Sequence, residues 1–245
     1  MLDKESLIHF IGKRFGNPVF KYRTMKELRS YSKNIQNCLI WYSNNQQKLE
    51  DEIKSGKHMG QLLSFIEETE VNSSTKDGQI LELGIFRGGT TICFAKFLQN
   101  IKSKRMICAC DTFSGFPYAD IRDGQYDEND HELKKTDYDY VIKKYEEFGV
   151  ANHITALKGS FEDTLYQKLD KMKFSFVLSD SDLYKSTQFS LEFLESRMCK
   201  GGIIAFHNYE DCKLGVWGET DAVDEFCHKN KMKLNTEKSI PYIKF

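Results

Sequence analysis

The sequence has no run of about 18 consecutive apolar residues, which is the length that a membrane-spanning helix needs. Its first ten residues carry four ionisable side chains and lack the apolar stretch of a signal peptide. The formal net charge is −1, so the basic excess typical of nucleic-acid or anionic-membrane binding is missing. The seven cysteines lack the paired spacing of zinc ligands, which favours reduced, buried thiols. We therefore expect a cytoplasmic protein without nucleic-acid or membrane partners.

The length of 245 residues suits one large domain with an N-terminal extension. In residues 1–75, apolar side chains recur at three- and four-residue steps, which predicts helices with a break near residues 16–18. Residues 72–78 (NSSTKDG) have the composition of a turn. We therefore expect a helical N-terminal region, residues 1–75, followed by a second region, residues 76–245.

After Gly78, short apolar runs alternate with helical stretches. The predicted strands are 79–83, 105–110, 154–157, 174–178 and 202–206, and the tail reads as two further short strands joined by a turn. The predicted helices are 90–100, 138–148, 186–197 and 221–229. Because the strands are apolar on both faces, this alternation predicts an α/β fold, a mainly parallel sheet covered by helices on both sides.

Polar residues and glycines follow the predicted strands, at the edge where such sheets bind ligands. Residues 82–89 (ELGIFRGG) predict a tight turn that opens a helix, whose free N–H groups suit a carboxylate. A bare strand-to-helix turn would also explain these glycines. The pattern G-x-G-x-x-G of dinucleotide-binding folds is missing.

Asp111 follows the second predicted strand, 29 residues after Glu82. A carboxylate at this place can accept two hydrogen bonds from a ribose diol, although an Asp that caps the next turn is the alternative. Together, the turn and Asp111 favour an adenosine-containing cofactor. Their spacing is shared by NAD enzymes, so it leaves the chemistry open.

Four segments in this order resemble the macrocin O-methyltransferase family: 82–89 (ELGIFRGG), 111–117 (DTFSGFP), 159–165 (GSFEDTL) and 180–187 (DSDLYKST). Gly201-Gly202 and residues 222–226 (AVDEF) continue the resemblance, which covers residues from about 58 to 230. It implies a Rossmann-like class I methyltransferase with a mainly parallel seven-stranded sheet. The cofactor would be S-adenosylmethionine (SAM), and the acceptor a hydroxyl group on a small molecule, typically a sugar or glycosylated natural product.

The resemblance also implies individual roles. Glu82, Gly84 and the turn through Gly89 would contact the methionine part of SAM, Asp111 would hold the ribose, and Ser160 with Phe161 would border the adenine. The helical N-terminal region would form a lid and contribute to a homodimer, or it is a plain structural extension. The cofactor-binding residues expected in this way are Met59, Glu82, Gly84, Ile85, Phe86, Arg87, Gly88, Gly89, Thr90, Asp111, Thr112, Phe113, Ser160, Phe161 and Asp180.

The sequence departs from the family pattern after the fifth strand. Relatives are expected to hold a magnesium ion with an Asp after strand four and two adjacent carboxylates after strand five. Here Asp180 is present, with Asp182 two residues on, but the later pair reads His207-Asn208. Magnesium favours hard oxygen ligands, and His207 is not a typical one.

Three interpretations follow from that departure. A divalent cation, magnesium or a softer one such as manganese, binds Asp180, His207 and Asn208. Alternatively, His207 is the general base, oriented by Asp180 or Asp182. In the third, Asp180 alone is the base.

The acceptor is less defined by the sequence. Tyr184, Tyr209, Glu210 and Trp217 could shape its pocket or simply pack. The acidic stretch 120–132 is read as a solvated loop, in which His131 would be a base only if the loop folds inward. An amine or a phosphorus-linked oxygen as acceptor, a SAM-fold binding protein without catalysis, and an NAD oxidoreductase are the competing functions.

Overall fold

The computed structural model describes residues 28–51, 53, 55–118, 120–123, 136–210 and 217–245. The predicted break at residues 16–18, His131 and most of the acidic stretch lie outside the described residues. Within the described part, no helix combines the length and the apolar character that crossing a bilayer requires.

Six strands form one sheet in the described part of the chain, in the order β3-β2-β1-β4-β5-β6. The first five are parallel, and β6 runs antiparallel to β5. Their bounds are β1 Gln79–Leu83, β2 Ile107–Asp111, β3 Ile154–Lys158, β4 Phe174–Ser179, β5 Met198–Phe206 and β6 Tyr242–Lys244. The predicted α/β fold with a mainly parallel sheet is therefore confirmed.

The described residues hold seven α-helices, which cover both faces of the sheet. They are α1 Lys33–Leu49, α2 Gly56–Val71, α3 Gly89–Asn100, α4 Tyr138–Glu147, α5 Phe161–Leu169, α6 Tyr184–Glu195 and α7 Gly218–Asn230. Side chains of α1–α4 pack with Ile80 and Phe176 on one face, whereas α5–α7 pack with Leu81 and Val177 on the other. Neighbouring residues of β1 thus enter opposite cores, because successive strand side chains alternate.

The tail departs from the expected strand pair. Tyr242–Lys244 forms β6, but its predicted partner is reduced to a single bridge between Asn235 and Tyr242. The chain bends over residues 237–240, so only this one pair of residues lines up. The expected seven-stranded sheet was therefore wrong by one strand for the part of the chain described.

Helix α5 was not predicted, although its start carries a local signal. The Ser160 hydroxyl accepts a hydrogen bond from the Asp163 backbone N–H, and Glu162 and Asp163 lie in the positive first turn. This arrangement is a helix N-cap with favourable charges beside it. It places Ser160 and Phe161 at the edge where β3 ends.

The N-terminal helices share a hydrophobic core with the sheet. Ile35, Leu62 and Phe65 belong to the same buried cluster as Ile80 and Phe176. Within the described residues, α1 and α2 therefore pack as part of the main body. The domain boundary at residue 75 stays a prediction.

Candidate functional site

The candidate site lies at the carboxyl ends of β1, β2 and β4, where the order of strands along the sheet reverses direction. Ligands bind at this switch point in open α/β sheets because the adjacent loops diverge there. A cleft with an empty volume of about 660 Å³ opens at this place. The predicted residues that line it are Gly84, Phe86, Asp111, Thr112, Ser160, Phe161, Asp180 and Asp182.

The turn after β1 brings two strands into close contact. Gly84 has φ +81°, and a Cβ added there would lie 2.0 Å from the Asp180 carbonyl oxygen. Phe86, two residues on, also has a positive φ of 45°. A bulky residue rarely adopts this conformation, which carries backbone strain. The turn therefore requires glycine at residue 84 and holds strained backbone beside the cleft.

Asp111 organises the same turn with its carboxylate. Its Oδ2 accepts hydrogen bonds from the Ile85 and Phe86 backbone N–H groups at 2.9 and 3.1 Å, and Oδ1 accepts one from Phe113 at 2.8 Å. Burial raises the pKa of Asp111, although these hydrogen bonds act in the opposite direction. Each oxygen can accept more than one bond, so a ribose hydroxyl can still be bound. The predicted capping and ribose roles are thus compatible.

A smaller compartment adjoins the cleft and is lined by carboxylates from distant parts of the chain. Glu50, Asp51, Glu82 and Asp180 all contribute to it. Burial raises the pKa of Asp51 and of Glu82, and the nearby Asp180 adds to both shifts. The residues of this compartment that the sequence analysis predicted as site residues are Glu82, Gly84, Ile85, Phe86, Arg87, Gly89, Thr90 and Asp180.

Asp51 was missed by the sequence analysis. It follows α1 and is held by the Tyr42 hydroxyl at 2.5 Å, the Thr90 hydroxyl at 2.7 Å and the Ile53 N–H at 3.1 Å. Thr90 lies 39 residues away along the chain, and no motif around Asp51 indicates this contact. The helical N-terminal region therefore supplies part of the wall of the compartment.

The cations near this compartment are occupied by other partners. Arg87 forms an ion pair with Glu50 at 2.8 Å. Lys144 donates to the backbone oxygens of Leu49 and Arg87 at 2.5 and 3.0 Å. Because burial favours the neutral forms of Asp51 and Glu82, a positively charged ligand is favoured here chiefly by stabilising their ionised forms.

His207 and Asn208 lie against the two aspartates after β4. His207 Nδ1 is 2.7 Å from Asp180 Oδ1, and the Asn208 amide donates to the same oxygen at 3.2 Å. The Asn208 amide also donates to Asp182, whose φ is 60°. The structure thus brings together the four residues predicted to carry catalysis or metal binding.

In this arrangement the donor set is engaged in internal hydrogen bonds and is not arranged around a divalent cation. Asp180 Oδ1 already accepts from both His207 and Asn208, and the Asn208 amide faces the carboxylates with its nitrogen. Among the residues that the structure describes, no group of three or more His, Cys, Asp or Glu side chains is arranged to hold a metal ion. A metal would have to displace these contacts and find His207 deprotonated.

The charge of His207 follows from its surroundings. Burial alone would lower its pKa, but Asp180, Glu219 and Asp182 together raise it to about 10. Because these carboxylates favour the imidazolium form, His207 carries a positive charge at neutral pH in the absence of ligand. That charge offsets part of the surrounding negative charge.

Several predicted residues lie outside the cleft surface. Met59 is fully buried in the core, so its position supports packing and not the predicted cofactor contact. Gly88 leaves room for the Tyr145 ring, and Phe113 stacks edge-on with Tyr138. The Tyr184 hydroxyl donates a hydrogen bond to Glu225, so it has a partner within the protein and does not need contact with a methyl acceptor.

The outer part of the cleft contains residues that the sequence analysis did not predict individually as site residues, although most of them lie in the segments 111–117 and 180–187. Phe116 and Pro117 follow β2, and Thr136, Leu183 and Ser186 come from later segments. Ser186 also bonds to the Tyr118 hydroxyl at 2.8 Å. This apolar and hydroxyl-bearing rim adjoins Asp180 and Asp182, as expected for a site that binds a second small molecule.

A profile described as macrocin-O-methyltransferase matches residues 30–239 of the chain. A curated relative is the 8-demethyl-8-(2,3-dimethoxy-alpha-L-rhamnosyl)-tetracenomycin-C 4'-O-methyltransferase of Streptomyces olivaceus. It is 27% identical over 164 residues, which is 60% of this chain and 62% of the relative. The match therefore spans less than two thirds of that relative's length.

Solved structures share the fold. The O-methyltransferase NovP aligns with a TM-score of 0.66 at 23% identity, covering 78% of this chain and 80% of its own. The calicheamicin methyltransferase CalS11 aligns with a TM-score of 0.60 at 19% identity, covering 89% and 96%. The fold is therefore that of the Rossmann-like class I methyltransferases.

Proposed function

Because the chain belongs to the macrocin-O-methyltransferase family, we propose that it transfers a methyl group from SAM to a hydroxyl group of a small molecule. The acceptor class that we propose is a sugar or glycosylated natural product. The observation that carries the proposal is the carboxylate wall formed by Asp51, Glu82 and Asp180 beside the glycine turn.

The acidic side chains of this wall favour SAM over phosphate-bearing cofactors. SAM carries a sulfonium and an ammonium group, which gain from nearby carboxylates, and an α-carboxylate, which the free N–H groups of the helix after the glycine turn can bind. The pyrophosphate of NAD would gain nothing from Glu82 and Asp180, and the nearby cations Arg87 and Lys144 already contact Glu50. The acidic wall and the missing dinucleotide motif therefore favour SAM.

The residues around the cleft fit the parts of that molecule. Asp111 faces the cleft with a carboxylate that can take the ribose hydroxyls, and Ser160 with Phe161 borders the place for the adenine. The carboxylates of the smaller compartment take the methionine end. When bound, SAM supplies a methyl group on a positively charged sulfur.

The acceptor hydroxyl needs a base, and we assign that role to His207. Its Nδ1 is 2.7 Å from Asp180 Oδ1, so Nε2 is the ring nitrogen that would accept the proton, although Asp180 lines the cleft and His207 lies behind it. Asp180 then stabilises the imidazolium that forms. His207 is protonated without ligand, because its pKa is raised to about 10. A positive charge bound beside Asp180 would favour loss of that proton to solvent, which leaves the neutral imidazole as the base.

The acceptor class rests on the curated relative and on the cleft. The relative's name describes methylation of a 4' oxygen on a rhamnosyl natural product. The rim of Phe116, Pro117 and Ser186 offers apolar contact and a hydroxyl group, which suit a sugar ring. A homodimer and a cytoplasmic location stay predictions.

The test is a calorimetric titration of S-adenosylhomocysteine into EDTA-treated protein, with NADH titrated in parallel. We expect micromolar binding of the first ligand and no heat with the second. The titration is repeated with magnesium and with manganese, and we expect an unchanged affinity because Asp180 is already bonded to His207 and Asn208. No binding of S-adenosylhomocysteine under any condition would remove the methyltransferase assignment.

Methyl transfer itself is then followed with radiolabelled SAM and a panel of rhamnosides and other glycosides. Labelled product that forms equally with EDTA and with magnesium supports His207 as base. Turnover that requires a divalent cation would instead favour the metal-bound interpretation of Asp180, His207 and Asn208.

A further inference from the structure

Glu219 is a buried acid that the proposed mechanism does not use. It lies in the first turn of α7, and only 1% of the residue is exposed. An acidic side chain is rarely buried to this extent, because removing its charge from water is costly, and burial raises the pKa of Glu219 to about 8. Its place in this protein therefore calls for a specific set of partners.

The two oxygens of Glu219 join the ends of two strands. Oε1 accepts a hydrogen bond from the Ser179 hydroxyl at 2.8 Å, and Oε2 accepts one from the Asn208 backbone N–H at 2.7 Å. Ser179 ends β4 and directly precedes Asp180, and Asn208 directly follows His207. Glu219 is thus bonded to the neighbour of each member of the His207–Asp180 pair.

A backbone hydrogen bond also joins the ends of these two strands. The His207 N–H donates to the Ser179 carbonyl oxygen at 2.9 Å, which continues the β4–β5 ladder. Glu219, in the first turn of α7, adds a side-chain connection between the same two strand ends. Its carboxylate also lies at the positive N-terminal end of that helix.

We propose that Glu219 is a positioning residue that holds Asp180 and His207 in register for proton transfer. The proposal rests on the proposed methyl transfer. It explains why a side chain with two polar atoms lies here: the Ser179 hydroxyl and the Asn208 N–H both need a hydrogen-bond partner inside the protein. A displacement of about 1 Å at reacting groups can lower a rate about 100-fold.

The test compares three variants with wild type. Glu219→Gln can keep both bonds, because its amide oxygen accepts from the Asn208 N–H and its amide nitrogen donates to the Ser179 hydroxyl. Glu219→Ala removes both bonds. Glu192→Ala is the matched control, since Glu192 is an exposed glutamate on α6. Each variant is measured for kcat, for S-adenosylhomocysteine affinity and for the His207 imidazole signals in NMR spectra, which a His207→Gln variant identifies.

We expect Glu219→Ala to lower kcat about 10- to 100-fold, with cofactor affinity within about threefold of wild type. Its His207 signals should shift or broaden. Glu219→Gln should retain kcat within about threefold and keep the His207 signals, and Glu192→Ala should match wild type. Full activity and unchanged His207 signals in Glu219→Ala would overturn the proposal, as would a Glu219→Gln variant as impaired as Glu219→Ala.

If Glu219→Ala does not fold, the Ser179→Ala variant tests the proposal instead. It removes one of the two bonds and leaves Glu219 in place. A loss of about three- to tenfold in kcat with altered His207 signals supports the proposal, and an unchanged kcat with unchanged signals contradicts it. Failure of wild type to bind S-adenosylhomocysteine would instead refute the proposed function, whereas the His207 signals report on Glu219 in either case.

Discussion

Gly84→Ala should disrupt the close contact between the glycine turn after β1 and Asp180, which follows β4. Two effects add at this position. The φ of +81° is unfavourable for any residue with a Cβ, which costs about 1–2 kcal/mol. The new Cβ would also lie 2.0 Å from the Asp180 carbonyl oxygen, whereas ordinary contact begins at 3.4 Å.

Relief of that clash requires β1 and β4 to separate by more than 1 Å at their carboxyl ends. The movement would strain the bonds that flank it, from the Gly84 N–H to Cys110 and from the Asp180 N–H to Leu83, both 2.9 Å long. Overpacking of this kind costs about 1–3 kcal/mol. The total expected loss of unfolding free energy is therefore about 2–5 kcal/mol, with at least a tenfold loss of S-adenosylhomocysteine affinity.

Gly149→Ala provides the matched control. Gly149 has a similar φ of +66°, but a Cβ there meets nothing within 4 Å. It should lose only about 1–2 kcal/mol for the backbone conformation and leave cofactor affinity unchanged. Urea denaturation and calorimetric titration measure both quantities. Equal losses of stability in the two variants would refute the reasoning from close approach at Asp180.

Two further predictions concern the pH dependence of stability and the buried side chain of Asp123. The pKa of His207 is raised to about 10 from its usual value near 6.5. The pairing of its imidazolium with the nearby carboxylates therefore stabilises the fold fully below pH 6.5, and this stabilisation is lost as pH rises through 10. Urea denaturation between pH 7 and 10 should therefore show a smaller decline for His207→Gln than for wild type, and parallel curves would contradict the pairing. Asp123 is fully buried and accepts from the Tyr184 and Asp120 N–H groups at 2.6 and 2.7 Å. Asp123→Ala should lose about 1–3 kcal/mol of unfolding free energy in urea denaturation, and a loss below about 0.5 kcal/mol would show that these bonds do not stabilise the loop.

The fold was predictable to the extent that its signals are local. Apolar runs bounded by turn residues located β1 at its observed bounds, Gln79–Leu83, and the other four parallel strands within a few residues. The missed helix α5 also has a local signal, the N-cap at Ser160. The tail was predicted less well, because pairing in its short strands depends on how many residues happen to align with β6.

The sequence alone determined the α/β class, the family, the glycine turn and Asp111, because these depend on neighbouring residues and on recurrent spacing. Only the tertiary structure decided which distant groups meet. Asp51 bonds to Thr90, 39 residues away, in the compartment beside the cleft, and Glu219 joins Ser179 to Asn208 across 40 and 11 residues. Such contacts leave no periodic pattern in the chain, since they arise when loops from separate strands converge at one edge of the sheet.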